Sequence, residues 1–203
     1  GSSLGAAALY YFEATGNFVN WEGPYLGTNI KGQWPTQKFL ESLRKGDIFG
    51  VANGRAEFGP RALGNRSLFA DARGTEIKDK VNAIKRRQEF RPFAPIVLEE
   101  HANEWFEMPA GKSNSPYMSF VAKCKKPEEI PAVCHADGTS RVQTVNRHQH
   151  PDLYHAMRQW YAETGCPVVL NTSLNIKGQP IVNTEAEAEE FAKHYKVKVH
   201  VRD

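Results

Sequence analysis

The run Pro167-Val168-Val169-Leu170 constrains the architecture most. It is the most strand-like stretch of the chain, it follows Gly165, and it leads straight into the polar run Asn171-Thr172-Ser173-Leu174-Asn175. Before it lies a helical pattern from Pro151 to Thr164, with Leu153, Met157 and Trp160 on one stripe. The pairing of a helix with a short apolar run recurs. Pro35 opens a helix with Phe39, Leu40 and Leu43 on one face and Gly46 past its end, and Asp47 to Ala52 then reads as a buried strand. Ser67 to Ala70 and Ile96 to Leu98 are two further strands, flanking a helix whose buried stripe is Ile77, Val81 and Ile84. Alternation of this kind predicts an α/β fold in which helices cover a sheet and ligands collect at strand ends.

The rest of the chain fills in this frame. The first dozen residues begin with a small-residue turn and continue as a helix, while Gly16 to Trp34, rich in Gly, Asn, Pro and aromatics, reads as a connector that holds a domain boundary. A short helix runs through Trp105 and Phe106, and Pro109 to Pro116 is a loop. Tyr117 to Val121 alternates as a strand, and Lys123 to Pro131 is polar enough to lie outside the core. The Asp137-Gly138 turn leads Arg141 into a strand at Val142 to Val145, Ile181-Val182 reads as a short strand, and Thr184 with Glu187 opens the last helix as a capping box.

Composition narrows the function classes. With 203 residues and 40% hydrophobic content the chain suits one domain with a real core. No apolar run is long enough to span a bilayer and the start lacks a secretory pattern, so a cytoplasmic location without a membrane partner is expected. Cys124, Cys134 and Cys166 are odd in number and contain no C-x-x-C pair, which predicts reduced structural thiols. Against 23 Asp and Glu, 26 Lys and Arg leave a formal charge of only +3, so any anion site must be local.

Three stretches concentrate chemistry. Gly54 to Ser67 sets Arg55, Arg61 and Arg66 among glycines, including Gly59 and Gly64; planar guanidinium forks match phosphate and carboxylate, and glycine allows close backbone approach. That loop is either an oxyanion cradle or an exposed basic loop whose arginine stems cover apolar surface. In the second stretch Lys85 and Arg91 flank a rigid Pro-Phe segment in which Phe90 and Phe93 look like anchors, whereas Lys78 and Arg86 read as a solvated face. The third, Asn171 to Asn175, offers short hydrogen-bonding side chains after a buried strand, suited to a sugar, phosphate or nucleotide, or to an ordinary capped turn. His148, His150 and His155 lack the paired ligands of a zinc site and read as surface loop residues, so no metal ligands are assigned.

Taken in order, Glu57-Phe-Gly-Pro-Arg-Ala-Leu-Gly-Asn-Arg-Ser67, Phe90-Arg-Pro-Phe-Ala-Pro95 and Asn171-Thr-Ser173 resemble the C-terminal portion of O-carbamoyltransferases of the nodulation-protein and antibiotic-carbamoylation type. The resemblance covers nearly the whole chain. It implies a YrdC-like domain over residues 35–203, a twisted mixed sheet flanked by helices with a concave basic surface, preceded by a connector at 16–34. Residues 1–15 then resemble the terminal helix of an actin-like N-terminal domain, which would hold an Fe/Mn-type metal and the site for a hydroxyl-bearing acceptor, in the same or a separate chain. The family's C-terminal domain takes carbamoyl phosphate and ATP with Mg²⁺ and forms carbamoyl-adenylate. Carried over with the loop reading, this assigns substrate binding to Arg55, Arg61, Arg66, Lys85 and Arg91, nucleotide binding to Arg141, Asn171, Ser173 and Asn175, and catalysis to Lys85, Arg91 and Arg141. The chain departs from the family pattern at Leu174, usually Phe, and at Gln88, often Glu. Two other classes stay open at this point: a YrdC-like RNA-binding module, against which the mild charge speaks, and a non-catalytic nucleotide-sensing domain.

Overall fold

The apolar runs that the sequence separates by helices are neighbours in space. The computed structural model describes residues 2–203. In chain order the elements are α1 (Ser2–Thr15), β1 (Tyr25–Ile30), α2 (Thr36–Arg44), β2 (Phe49–Ala52), β3 (Gly54–Glu57), β4 (Arg66–Asp71), α3 (Ile77–Ile84) and β5 (Ala94–Leu98). They continue with α4 (Ala102–Trp105), β6 (Phe106–Glu107), β7 (Phe120–Cys124), β8 (Thr139–Val145), α5 (Pro151–Thr164), β9 (Val168–Ser173), α6 (Glu185–Tyr195) and β10 (Lys198–His200). Eight strands form one mixed sheet in the order β10-β2-β4-β9-β5-β8-β7-β6, and β1 pairs with β3 in a separate antiparallel ribbon. The pairs β10-β2 and β5-β8 are parallel and the rest of the large sheet is antiparallel.

Strand alternation decides what each face carries. Phe49, Val51, Phe69, Ile96, Leu98, Val145 and Val169 point to one side, where they pack with Phe39, Leu40 and Leu43 of α2 and Leu153, Met157 and Trp160 of α5. Val97, Val168 and Leu170 point to the other, against Ile77 and Val81 of α3 and Trp105 of α4, and Ala52 with Leu68 meets Ala188 and Phe191 of α6. Because β9 keeps its alternation past Val169, Asn171 and Ser173 return to the α2/α5 face. Arg141 and Gln143 do the same along β8 ahead of Val145. Polar side chains thus share a face with the core at the end that the helices leave uncovered.

Several local readings need correction. The stretch 16–34 is not wholly a connector: it contains β1, and Ile30 and Trp34 are buried. Gly54 to Ser67 is not one loop but a strand, a turn and the start of β4. The strand expected at Tyr117 begins at Phe120, because Met118 takes a left-handed backbone (φ 57°) that interrupts an extended run. Ile130, expected outside the core, is fully buried; Phe93 is an anchor but Phe90 is 75% exposed. Ile181-Val182 forms no strand and makes a single backbone bond from Val182 N to Leu174 O, whereas β10 has no counterpart among the expected strands. His150 is a buried helix cap rather than a surface residue, its ring accepting from Leu153 N at 3.2 Å. The capping box at Thr184 and Glu187 is present as expected. All three cysteines are unpaired. Among the described residues no helix is long and apolar enough to cross a membrane, and α1 buries none of its residues.

Candidate functional site

The turn between β3 and β4 is built around a carboxylate. Glu57 Oε1 accepts from the amides of Leu63 at 2.7 Å and Asn65 at 2.8 Å, so the backbone curls about it. Burial pushes this carboxyl above its ordinary range, against the opposing pull of the amides and Arg66. Asn65 adds a second brace: its amide donates to Arg55 O at 2.9 Å and its oxygen meets His150 Nε2 at 2.9 Å. Since His150 Nδ1 accepts from Leu153 N, Nε2 carries the proton and donates. Gly59 and Gly64 take φ of 128° and 131°, and a Cβ at Gly64 would lie 2.8 Å from a Leu153 methyl. Sequence pattern does not mark Glu57 or Asn65 as the frame of the site, although both lie inside the motif that draws attention to the loop.

The loop's arginines separate completely. Arg66 is corrected from substrate binding to structure: it is fully buried, and its guanidinium donates to the carbonyls of Thr28, Asn53, Gly54, Asn65 and Asn183 at 2.8 to 3.2 Å. Its neighbour Ser67 points to the α2/α5 side and Leu68 away from it, so the alternation of β4 turns Arg66 away from the groove. Arg55 lies exposed on the small ribbon and donates to Leu26 O at 2.7 Å, outside the groove as well. Arg61 remains exposed at the turn and is the loop arginine that lines the groove.

Arg61 meets Arg87 and Arg141 over a small cavity of about 80 Å³ whose floor is Asn171, Thr172 and Ser173. Asn171 donates to Ala62 O at 2.9 Å and to Gln143 Oε1 at 2.8 Å, which ties the floor to the turn above it. Asn171 Oδ1, however, is buried without a partner among the described residues, and so is Arg141 Nε. An acceptor and a cationic donor both left unmatched in one cavity are costly unless a ligand completes them. Burial, then proximity to Arg61, lowers the Arg141 pKa; burial, then Arg91 and Arg141, lowers that of Arg87 to about 10. Among the described residues no carboxylate lines the cavity, so these cations face a space suited to an anion.

Arg87 does not stand out within its basic run in the sequence. Its Nε donates to Asn82 Oδ1 at 2.6 Å, its Nη2 to Pro92 O at 3.2 Å, and its guanidinium lies 4.3 Å over the Phe93 ring. Buried Asn82 also donates to the carbonyls of Glu89 and Arg91, fixing the whole 86–92 turn. Arg91 itself is exposed beside this cluster and does not line the cavity.

Lys85 works from beneath. It is 3% exposed, and its Nζ donates to Ser173 O at 2.5 Å, Asn175 O at 2.9 Å and Asn175 Oδ1 at 2.9 Å. Three such acceptors match the three donors of an ammonium, while burial, then Arg87, pulls the pKa down to about 7. Ser173 Oγ bonds Asn175 Oδ1 at 2.7 Å, so Lys85, Ser173 and Asn175 form one unit at the end of β9. The expected set therefore divides: Arg61, Arg141, Asn171 and Ser173 line the cavity, Lys85 and Asn175 support its edge, and Arg55, Arg66 and Arg91 stand apart. No group of three or more His, Cys, Asp or Glu positioned to hold a metal occurs among the described residues. A Mg²⁺ ion does not fit this donor set, because carboxylates are missing from the lining and Glu57 Oε1 is occupied by amides.

Comparison with known proteins bears on the fold and on the family. In fold, the chain is similar to full-length HypF in its phosphate- and nucleotide-bound form, with a TM-score of 0.58, 17% identity, and coverage of 78% of this chain and 19% of that one. It is also similar to a variant of P. abyssi Sua5, with a TM-score of 0.55, 15% identity, and coverage of 83% and 45%. These likenesses show a shared YrdC-like fold. In sequence, nodulation protein NolO of Bradyrhizobium diazoefficiens is 44% identical over 149 residues, which is 72% of this chain and 27% of that protein. The chain thus spans about a quarter of the length of such a relative. Residues 40–202 match the family model described as "Carbamoyltransferase C-terminus". With the match running from α2 through β10 and taking in every residue of the basic cavity, this chain belongs to the carbamoyltransferase C-terminal family.

Proposed function

We propose that this chain is the adenylate-forming part of a cytoplasmic carbamoyltransferase, binding carbamoyl phosphate and ATP in the groove of Arg61, Arg87 and Arg141. The observation that carries the reading is the unmatched pair lining the cavity, Arg141 Nε and Asn171 Oδ1. Arg141 Nε donates to an anionic oxygen, and Asn171 Oδ1 accepts a proton donor such as the carbamoyl N–H. The cavity, at about 80 Å³, suits a group the size of a phosphoryl or carbamoyl unit, with the remainder of a nucleotide lying outside it.

In the proposed sequence, water cleaves carbamoyl phosphate to carbamate and inorganic phosphate. A carbamate oxygen then attacks the α-phosphorus of ATP, the bond to the β-phosphate oxygen breaks, and pyrophosphate leaves as carbamoyl-adenylate forms. Arg87, locked by Asn82, Pro92 O and Phe93, supplies charge that does not need to reorganise. Arg61 adds a cation to the same lining, and the two together hold anions that would otherwise repel each other. Lys85 fixes the edge at Ser173 and Asn175, and exposed Arg91 strengthens the positive field from the rim. Mg²⁺ would arrive with the nucleotide, on its phosphates. Transfer to an acceptor hydroxyl belongs, in the same reading, to an actin-like domain beyond the aligned quarter of the relatives.

Exchange of labelled pyrophosphate into ATP, dependent on carbamoyl phosphate, tests this. Exchange should be measurable with the 203-residue chain. It should fall by about a hundredfold in Arg141→Ala and stay unchanged in Lys78→Ala. Equal effects at the two positions, or ATP binding that ignores Arg141, would show that the groove has been misassigned.

A further inference from the structure

The face of the sheet turned away from the groove carries two thiols that meet. Ala122 of β7 pairs with Ser140 of β8, and Phe120 with Val142, so strand alternation places Ala122, Cys124, Ser140 and Val142 on that one face. Ala122, Cys124 and Val142 are buried there in a cluster with Ile130 and Val133, and Cys134 packs against the same cluster. The backbone on both sides of Cys134 is tied to β8. Ser140 Oγ donates to Val133 O at 2.8 Å, and His135 N donates to Thr139 O at 2.8 Å around the Asp137-Gly138 turn. From the neighbouring strand Cys124 N donates to Gly138 O at 2.8 Å. Between these ties the Cys134 thiol is brought against Cys124 and donates a hydrogen bond to its sulfur.

Two thiols in contact have a chemistry that neither has alone. The hydrogen bond from Cys134 holds the Cys124 thiol below its ordinary range, while giving that bond pushes the Cys134 thiol up. Cys124 therefore loses its proton first and becomes the nucleophile of the pair. Half-buried Cys134 marks where the pair meets solvent, and a small uncharged oxidant needs no wider opening. Cys166 is the opposite case. It is 3% exposed, its Sγ donates to Val168 O at 3.6 Å, and burial pushes its thiol up to about 11.

We propose that Cys124 and Cys134 are an oxidation site, a dithiol that a small hydroperoxide converts reversibly into a disulfide behind the β7–β8 hairpin. With hydrogen peroxide, the Cys124 thiolate attacks one peroxide oxygen, the O–O bond breaks, and the leaving hydroxide takes up the proton that Cys124 gave away. Cys124 is then a sulfenic acid. The Cys134 sulfur attacks it, the S–S bond forms as the S–O bond breaks, and the second hydroxide leaves with the Cys134 proton as water. Two electrons pass from the two sulfurs to the peroxide, which ends as two waters, and a dithiol reductant reverses the change. The site stands on its own geometry and does not depend on the groove's function.

The fully reduced 203-residue chain is treated with a small excess of hydrogen peroxide, quenched, denatured and alkylated, and its free thiols are counted and mapped by peptide mass. The count should fall from three to one, with Cys166 left free and a single peptide pair joined through Cys124 and Cys134, and dithiothreitol should restore all three. Because the bond closes a short loop, the thermal midpoint of the oxidised chain should lie about 5 °C or more above that of the reduced chain. Cys134→Ser should form no bridge within the chain and show no such rise; if that variant does not fold, the peptide map of the parent decides. An unchanged thiol count, a bridge through Cys166 or between two chains, oxidation that ends at sulfinic acid, or an oxidised chain less stable than the reduced one would overturn the proposal.

Discussion

Arg66 and Arg141 are both arginines of sheet strands, drawn largely out of water, and they are used in opposite ways. Arg66 spends its guanidinium on five backbone carbonyls and joins the β1/β3 ribbon to β4 and to the chain entering α6. Arg141 keeps Nε without a partner and faces two other arginines across a cavity free of carboxylates. A buried guanidinium is therefore read from its acceptors. Where the protein supplies them all, the residue is structural; where it withholds them, the donor is left open, and the ligand proposed for Arg141 would supply the acceptor.

The largest expected effect lies on the saturated side. Arg66→Met should cost about 3–5 kcal/mol in urea denaturation, because a buried, fully hydrogen-bonded guanidinium is removed and its carbonyl partners are left unsatisfied. A loss below about 1 kcal/mol would erase the contrast between the two arginines.

His150 tests the same side through pH. Burial depresses its pKa from 6.5 to about 4, so between these values the unfolded chain binds the proton that the folded chain refuses. Stability from this group is fully present above pH 6.5 and is lost as pH falls through 4, by about 3 kcal/mol in all. Protonation would also turn Nδ1 from an acceptor into a donor facing Leu153 N, loosening the Asn65 brace. Denaturation midpoints at pH 7 and pH 4.5 should therefore converge in His150→Asn relative to the parent. An unchanged difference would remove His150 from the account.

On the unsaturated side, Arg141→Ala should weaken inorganic phosphate binding by about tenfold to a hundredfold, measured calorimetrically. Its stability should stay within about 1 kcal/mol of the parent, since no internal bond of its Nε is lost and repulsion from Arg61 is relieved. A stability loss equal to that of Arg66→Met would make the two arginines alike. The smallest effect is expected at Gly59, where φ of 128° disfavours a side chain but nothing lies within 4 Å of the place a Cβ would take. Gly59→Ala should cost about 1 kcal/mol and Gly64→Ala more, because the latter also meets Leu153 and His150. Equal losses would show that crowding at Gly64 is relieved by its neighbours.

Much of this is legible along the chain. Periodicity locates α2, α3 and α5, apolar runs locate β2, β4, β5 and β9, and the capping box opens α6, because each depends on residues a few positions apart. The motifs also bring attention to Arg61, Arg141, Asn171 and Ser173, which do line one cavity. Local pattern fails where two neighbours of like chemistry are sorted by distant partners. Phe90 and Phe93 look equivalent in sequence, yet only Phe93 lies in the core. Lys78 and Lys85 fall on one polar side of a helical period, yet Lys85 lies just past α3, where the chain leaves the helix and carries its ammonium to the end of β9.

The alternation of strands and helices and the presence of an arginine-rich turn are written in the chain itself, since helix and strand periods and glycine's freedom at positive φ are local properties. Which cations bind the protein and which are left for a ligand is settled only in three dimensions. That choice is made by sheet register and by carbonyls from remote segments: Thr28 and Asn183 claim Arg66, Ser173 and Asn175 claim Lys85, and among the described residues nothing within bonding distance claims Arg141 Nε.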